Sequence, residues 1–330
     1  MDPRDRTGGG PRQPGVSLGL LGATSFVGRA VLAGAAADAV TAAGGPRWSI
    51  GRVVAFSRSA PAVAAGNAAG PACWHVLAAG GGARTGRAGA SSDAPPPAVA
   101  NIPLWITACP LWSVPEHLPL VARAGGRRLV ALSSTSRLTK HASPAARERA
   151  VATRLADAED TVLRLARERG IAVTLLRPTM IYDGIHDRNV ARVAAFIRRF
   201  ACYPLAGAAS GLRQPVHAAD VAAACLAAVQ RDGLREHYEL SGGETLTYRD
   251  MVRRIFAWLG RPERIVTVPG PACRAVAATV GGLPGLGPLA AMAVRMNEHL
   301  AFDHRAAAAD FGFHPRPFEL PSRTHPDHAA

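Results

Sequence analysis

The run Leu18-Gly19-Leu20-Leu21-Gly22-Ala23-Thr24-Ser25-Phe26-Val27-Gly28 constrains the fold more than any other stretch of this chain. A short apolar segment stops at a glycine, turns through small residues and opens into an alanine-rich pattern that ends near Gly44. That order is a strand, a tight turn and the start of a helix. The first N–H groups of such a helix face outward, and its dipole favours an anion there. In a βαβ context the usual anion is a dinucleotide pyrophosphate. The spacing is Gly22-x-x-Ser25-x-x-Gly28, with serine where glycine is more usual. Serine keeps the turn small, but its Cβ bars backbone angles that only glycine adopts.

Composition narrows the class. The 330 residues are 48% hydrophobic, which suffices for one large α/β domain or for a main domain with a smaller lobe. The formal net charge of +14 suggests a nucleic-acid partner at first sight. Yet Lys140 is the sole lysine, and no arginine block is dense enough to make a basic arm. The reading is therefore no nucleic acid, and a solvated basic surface suited to acidic lipid or a phosphorylated small molecule. The five cysteines, Cys73, Cys109, Cys202, Cys225 and Cys273, are odd in number and form no C-x-x-C pair. That argues against a metal site or a disulfide framework and fits a reducing cytoplasm. Residues 275–294 carry no charge, but Gly281-Gly282-Leu283-Pro284-Gly285 breaks the run. Two short apolar helices are expected there, packed in the core or touching a membrane surface.

Further along, strand patterns recur at Arg52–Arg58, Cys73–Leu77, Ile102–Thr107, Arg128–Leu132 and Ala172–Leu176. Ser143 and Pro144 are placed to start a helix in which Val151, Leu155, Ala158, Val162 and Leu165 recur at helical spacing. Alternating strands and helices predict a Rossmann-like, doubly wound parallel sheet. The expected organisation is a disordered tail over 1–15, a nucleotide-binding domain over 16–180 with a flexible insertion at 78–100, and a smaller lobe. That lobe occupies most of 181–330, with some elements returning to the core. Short helices are expected at 188–200, 218–230 and 247–259, the last opening on a Thr247/Asp250 capping arrangement. The strand ends at Gly22, Ser57-Arg58, Cys109-Pro110, Thr135 and Pro178-Thr179 are placed to line one edge, where doubly wound sheets bind ligands. An arginine after the second strand, Arg58, suits a ribose 2′-phosphate, so NADP is favoured over NAD.

Five motifs in order resemble the extended short-chain dehydrogenase/reductase superfamily, specifically its NAD-dependent epimerase/dehydratase group. They are Gly22–Gly28, Ser133-Ser134-Thr135, Leu176–Tyr182, Gly211–Ala222 and the C-terminal set Arg295, Phe302-Asp303 and Gly312–Pro315. The resemblance runs from about 16 to 320. It implies an NAD(P) site at Gly22, Thr24, Ser25, Phe26, Val27, Gly28, Ser57, Arg58, Cys109, Pro110, Ser133, Pro178 and Thr179. It also implies a nucleotide-sugar substrate held by Arg213, His217 and Arg295.

One departure from that family is sharp. Its enzymes carry a tyrosine and a lysine four residues apart on the helix after the active-site strand, one face of which meets the nicotinamide. Counting back from Ala158-Glu159 puts Val151 and Leu155 at those positions. Thr135 and the loop residue Lys140 are the substitute catalytic candidates. The resulting expectation is an epimerase/dehydratase-like oxidoreductase with a non-standard acid/base, or a non-catalytic NADP-binding sensor or assembly protein.

Overall fold

The computed structural model describes residues 15–36, 50–58, 72–77, 83–84, 99–143, 145–269 and 295–321. The first half runs β1 (Val16–Leu21), α1 (Phe26–Ala36), β2 (Ile50–Ser57), β3 (Ala72–Leu77), β4 (Ala83–Arg84), β5 (Leu104–Thr107), α2 (Leu118–Arg123), β6 (Arg128–Leu132), α3 (Ser136–Thr139), α4 (Ala146–Arg167) and β7 (Ala172–Pro178). It continues through β8 (Ile181–Tyr182), α5 (Val190–Phe200), β9 (Tyr203–Ala206), β10 (Leu212–Arg213), β11 (Val216–His217), α6 (Ala218–Val229), β12 (His237–Leu240), β13 (Leu246–Thr247), α7 (Tyr248–Trp258), β14 (Ile265–Val268) and a last helix, α8 (Arg305–Phe311).

The main sheet has the order β12-β7-β6-β5-β1-β2-β3-β4. All pairs are parallel except β3 with β4 at the edge. This is a doubly wound α/β fold whose strand order reverses beside β1, the place where such sheets bind ligands. Leu18, Leu20, Val27, Val31 and Leu226 pack on one face, under α1 and α6. Leu21, Phe56, Trp105, Val121 and Val162 pack on the other, under α2 and α4. Burying each large apolar side chain contributes roughly 1.5–3 kcal/mol, which explains why these parallel strands read as near-continuous apolar runs. Gly19 leaves room for the Trp105 indole, since a Cβ there would lie 2.5 Å from the ring.

A third apolar cluster forms the smaller lobe around Tyr182, Ile197, Tyr203, Tyr248, Ile255, Phe256 and Phe318. The lobe is not one unbroken stretch of chain. β12 joins the main sheet beside β7, and α6 packs against α1. The three short helices near 190, 218 and 248 form as expected.

Three local expectations change. α4 starts at Ala146, not at Ser143, because Ser143 is drawn aside: its hydroxyl accepts from Ala145 N at 3.2 Å and donates to Glu148 at 2.7 Å. Within 78–100, Ala83–Arg84 pair antiparallel with β3, so that part of the stretch is an edge strand. β5 begins at Leu104, after Pro103, which lacks the N–H a ladder needs. The tail at 1–14, most of 78–98, and the apolar run 275–294 lie outside the described residues. Among the described residues no helix is long and apolar enough to cross a membrane.

Candidate functional site

The turn after β1 is built for close approach. Gly22 has φ +78°, a left-handed value that favours glycine. A Cβ there would lie 2.5 Å from Cys109 N, so the ends of β1 and β5 press together. The N–H groups of Gly22 and Ala23 both donate to Phe56 O, at 3.0 and 3.2 Å. Ser25 is the N-cap of α1: its hydroxyl accepts from Gly28 N at 3.0 Å and its carbonyl from Arg29 N at 2.8 Å. That is the physical use of serine in a glycine position. Gly28 is buried, and a Cβ on it would meet Gly22 O at 2.3 Å. The N–H groups of Phe26 and Val27 are left without a protein acceptor among the described residues. A pyrophosphate fits such a helix start, and no acidic residue stands in the first turn of α1 to oppose it.

Next to this turn, Thr24 Oγ1 and Ser57 Oγ lie 2.8 Å apart. Ser57 is buried and Arg58, one residue on, is exposed. At the end of β5, burial pushes the Cys109 thiol up, and its neighbours Ser113 and Arg58 offset part of that rise. Pro110 O accepts from Ser113 N and from its hydroxyl, which closes the turn leaving β5.

The β6 and β7 ends are fixed from behind. Ser133 Oγ donates to Glu159 Oε1 at 2.5 Å. Arg177 donates from Nε and Nη2 to the two oxygens of Glu159, at 3.0 and 2.6 Å, and from Nη1 to Glu239 at 3.3 Å. Arg137 Nε approaches Glu159 at 2.8 Å. Burial alone would lower the Arg177 pKa, but the two carboxylates raise it above its ordinary value. Thr135 is buried, and both its N and its hydroxyl donate to Pro178 O at 3.2 Å. Thr179 donates from its hydroxyl to Gln214 O at 2.5 Å. The hydroxyl of Ser133 therefore ties the β6 end to α4, and those of Thr135 and Thr179 tie neighbouring segments at the strand ends together.

Val151, Leu155 and Glu159 stand at i, i+4 and i+8 on α4, on one helix face. Glu159 anchors that face to the β6 and β7 ends. Of these three residues only Glu159 bears a polar group, and it is spent on Arg177, Arg137 and Ser133. All four tyrosines of the sequence lie elsewhere with their hydroxyls engaged. Tyr182 donates to Glu319 O at 3.0 Å, Tyr203 and Tyr248 share a hydrogen bond of 3.2 Å, and Tyr238 donates to Asp310 at 2.7 Å. Burial pushes Tyr182 and Tyr238 up to about 12.

Lys140 ends α3 and faces Glu148 Oε1 at 3.7 Å. The same oxygen accepts from Arg295 Nη1 at 3.2 Å. Burial, followed by repulsion from Arg295, lowers the Lys140 pKa against the pull of Glu148. Arg213 is buried and donates to the carbonyls of Leu212, Glu298 and Arg295 from its two terminal nitrogens. Its guanidinium also lies 5.3 Å from the Tyr248 ring centroid, and burial lowers its pKa to about 10. That arrangement braces the smaller lobe. His217 is the N-cap of α6, its Nδ1 accepting from Ala219 N at 3.1 Å, and burial and Arg316 lower its pKa. Asp220, in the first turn of α6, holds Arg316 at 2.7 Å. The structure thus brings together the turn residues with Ser57, Arg58 and Cys109, and groups Lys140 with Arg295. It sets Arg213 and His217 into separate bracing contacts. Glu148 is the site residue that sequence spacing did not single out, because its partners come from α3 and from the far C-terminal segment. Among the described residues no group of His, Cys, Asp and Glu is arranged to hold a metal.

No family model matches the chain. A solved UDP-glucuronic acid 4-epimerase from Bacillus cereus, in complex with NAD, matches with TM-score 0.60 at 10% identity, covering 91% of this chain and 94% of that one. The NADPH-dependent quinone oxidoreductase QOR2 of Escherichia coli, complexed with NADPH, matches with TM-score 0.57 at 18% identity over 92% and 96%. These likenesses show that the chain shares the Rossmann-like α/β fold of those two structures. In sequence the chain is similar to the mitochondrial NADH dehydrogenase [ubiquinone] 1 alpha subcomplex subunit 9 of Arabidopsis thaliana, at 32% identity over 168 residues. That match covers 50% of this chain and 39% of the relative.

Proposed function

We propose that this chain binds a nicotinamide dinucleotide at the β1–α1 turn and serves as a sensor or assembly subunit, not as a dehydrogenase. The observation that carries the reading is the face of α4 at the strand ends. It presents Val151 and Leu155, neither of which can move a proton or hydrogen-bond a ribose. The bound nucleotide would supply hydride chemistry in an enzyme. Here Gly22, Ser25 and the free N–H groups of Phe26 and Val27 would hold its pyrophosphate, with Ser57 and Arg58 beside the adenosine ribose. NADP is the favoured form, through Arg58. The similarity to a subunit of an NADH dehydrogenase supports a role inside a larger assembly.

A second reading rests on Lys140, whose pKa is lowered beside the start of α4. In it, Lys140 and Thr135 replace the missing acid/base in an oxidoreductase acting on a nucleotide-linked sugar. Fluorescence titration with NADPH, followed by a search for hydride exchange from deuterated NADPH to UDP-sugars, separates the two. Saturable binding without exchange supports the subunit; rapid exchange overturns it.

A further inference from the structure

We infer that Arg29 is a second specificity-determining residue, which joins Arg58 in reading a ribose 2′-phosphate. The inference rests on the dinucleotide reading of the β1–α1 turn and adds to it the part that tells NADPH from NADH.

Three observations converge on the Thr24–Ser57 contact. Where a carboxylate would hold the ribose hydroxyls of NAD, the chain places Ser57, and its hydroxyl lies 2.8 Å from that of Thr24. Arg29, on the first turn of α1, folds back so that its Nη1 lies 3.4 Å from Thr24 O. Arg58 follows Ser57 directly and is near enough to Cys109 to lower its thiol pKa. Arg29 and Arg58 are both exposed, and neither has a carboxylate partner among the described residues. The long weak bond from Arg29 to a carbonyl leaves its other guanidinium donors open. Two exposed guanidinium groups on the residues beside a hydroxyl pair, with no acid paired to them among the described residues, are suited to a phosphomonoester carrying nearly two charges. A ribose 2′-hydroxyl offers no such charge, so NADH gains nothing from either arginine.

The probes are NADPH, NADH, 2′-AMP and 5′-AMP, titrated against the full chain and against Arg29→Ala, Arg29→Lys, Arg58→Ala and the double alanine variant. The wild type is expected to bind NADPH at least tenfold tighter than NADH. Arg29→Ala should weaken NADPH and 2′-AMP about tenfold and leave NADH within twofold, Arg29→Lys should recover part of the loss, and the double variant should abolish the preference. Because the second ionisation of a phosphomonoester lies near pH 6, the NADPH preference should grow between about pH 5 and pH 7 and shrink in Arg29→Ala. A merely structural arginine would change neither that pH profile nor the NADPH-to-NADH ratio. An unchanged ratio in Arg29→Ala, with its melting temperature intact, overturns the role of Arg29. If the wild type binds NADPH and NADH equally, the 2′-phosphate site is overturned while the dinucleotide reading stands. If it binds neither, the dinucleotide reading itself fails, and the clamp with it.

Discussion

Arg177 and Glu159 form a two-pronged ion pair, with contacts of 3.0 and 2.6 Å, that joins the C-terminal end of β7 to the middle of α4. Both side chains are almost wholly buried. This pair ties the Glu159 stripe of α4, which Val151 and Leu155 share by helical spacing, to the end of β7. Breaking one partner of a buried pair typically costs ~3–5 kcal/mol, because the other charge is left behind. Glu159→Gln should therefore lower stability by ~3 kcal/mol, softened by the remaining Glu239 contact to Arg177. Urea denaturation checks this. A loss within 0.5 kcal/mol, roughly that of an exposed pair, would mean the network does not hold the helix.

The serine in the glycine-rich turn gives a second test. Ser25 caps α1, and removal of such a cap costs ~1 kcal/mol for alanine but only a few tenths for glycine. Ser25→Gly should thus be nearly silent in stability, while Ser25→Ala should be measurably destabilised. Gly28→Ala should cost more than either, about 1–3 kcal/mol of overpacking, because its Cβ has no room beside Gly22 O. Gly28→Leu should in addition abolish nucleotide binding. Thermal unfolding and NADPH titration read both effects, and binding by Gly28→Leu equal to wild type would move the site elsewhere.

The Glu148 cluster makes a prediction about pH. Burial pushes its carboxyl up, but the Ser143 hydroxyl, Arg295 and Lys140 outweigh burial and hold the group below the usual carboxylate range. A folded-state pKa that is depressed contributes stability above the unfolded value, and that contribution is lost as pH falls through the folded value. The gap between wild type and Glu148→Gln should therefore be full at neutral pH and close as the pH drops below the ordinary glutamate range. Lys140 runs the other way. Its pKa is lowered in the fold, so its charge opposes folding near neutral pH. Lys140→Met should be neutral or stabilising at pH 7, with any gain fading at alkaline pH once the lysine is neutral in both states. A large destabilisation at pH 7 would show that the Glu148 contact outweighs the burial of the charge.

The sheet was legible because parallel strands buried on both faces must be apolar throughout, and Val53–Phe56, Leu104–Ile106 and Leu129–Leu132 are. The β1–α1 turn was legible because its glycines meet local constraints. Partners far apart in the chain were not. Glu148 meets Arg295, and Asp220 meets Arg316, across separations that no local pattern encodes. For the same reason Arg213 reads in sequence as a phosphate ligand, whereas its donors turn inward to carbonyls of a segment more than 80 residues away. Ser143 reads as a cap because Pro144 and a helical pattern follow it, yet its hydroxyl accepts from Ala145 N, before the helix begins, and donates to Glu148.

The last prediction concerns turnover. General acid–base help is typically worth 10²–10⁴-fold in rate, and the helix face that would provide it carries Val151 and Leu155. The candidate hydroxyl, on Thr135, donates to Pro178 O, and its loss should loosen the strand end before it alters chemistry. NADPH bound to the wild-type chain should therefore be neither oxidised by UDP-sugars nor exchanged at its hydride position at a rate above the uncatalysed background. Any slow residual exchange should fall further in the Thr135→Ala, Lys140→Ala double variant, since these hold the remaining candidate donors. The measurement is deuterium transfer from labelled NADPH, followed by mass spectrometry in parallel with binding. Rapid transfer that survives the double variant would show that a proton donor acts from outside the α3–α4 region, and the subunit reading would give way to an enzyme.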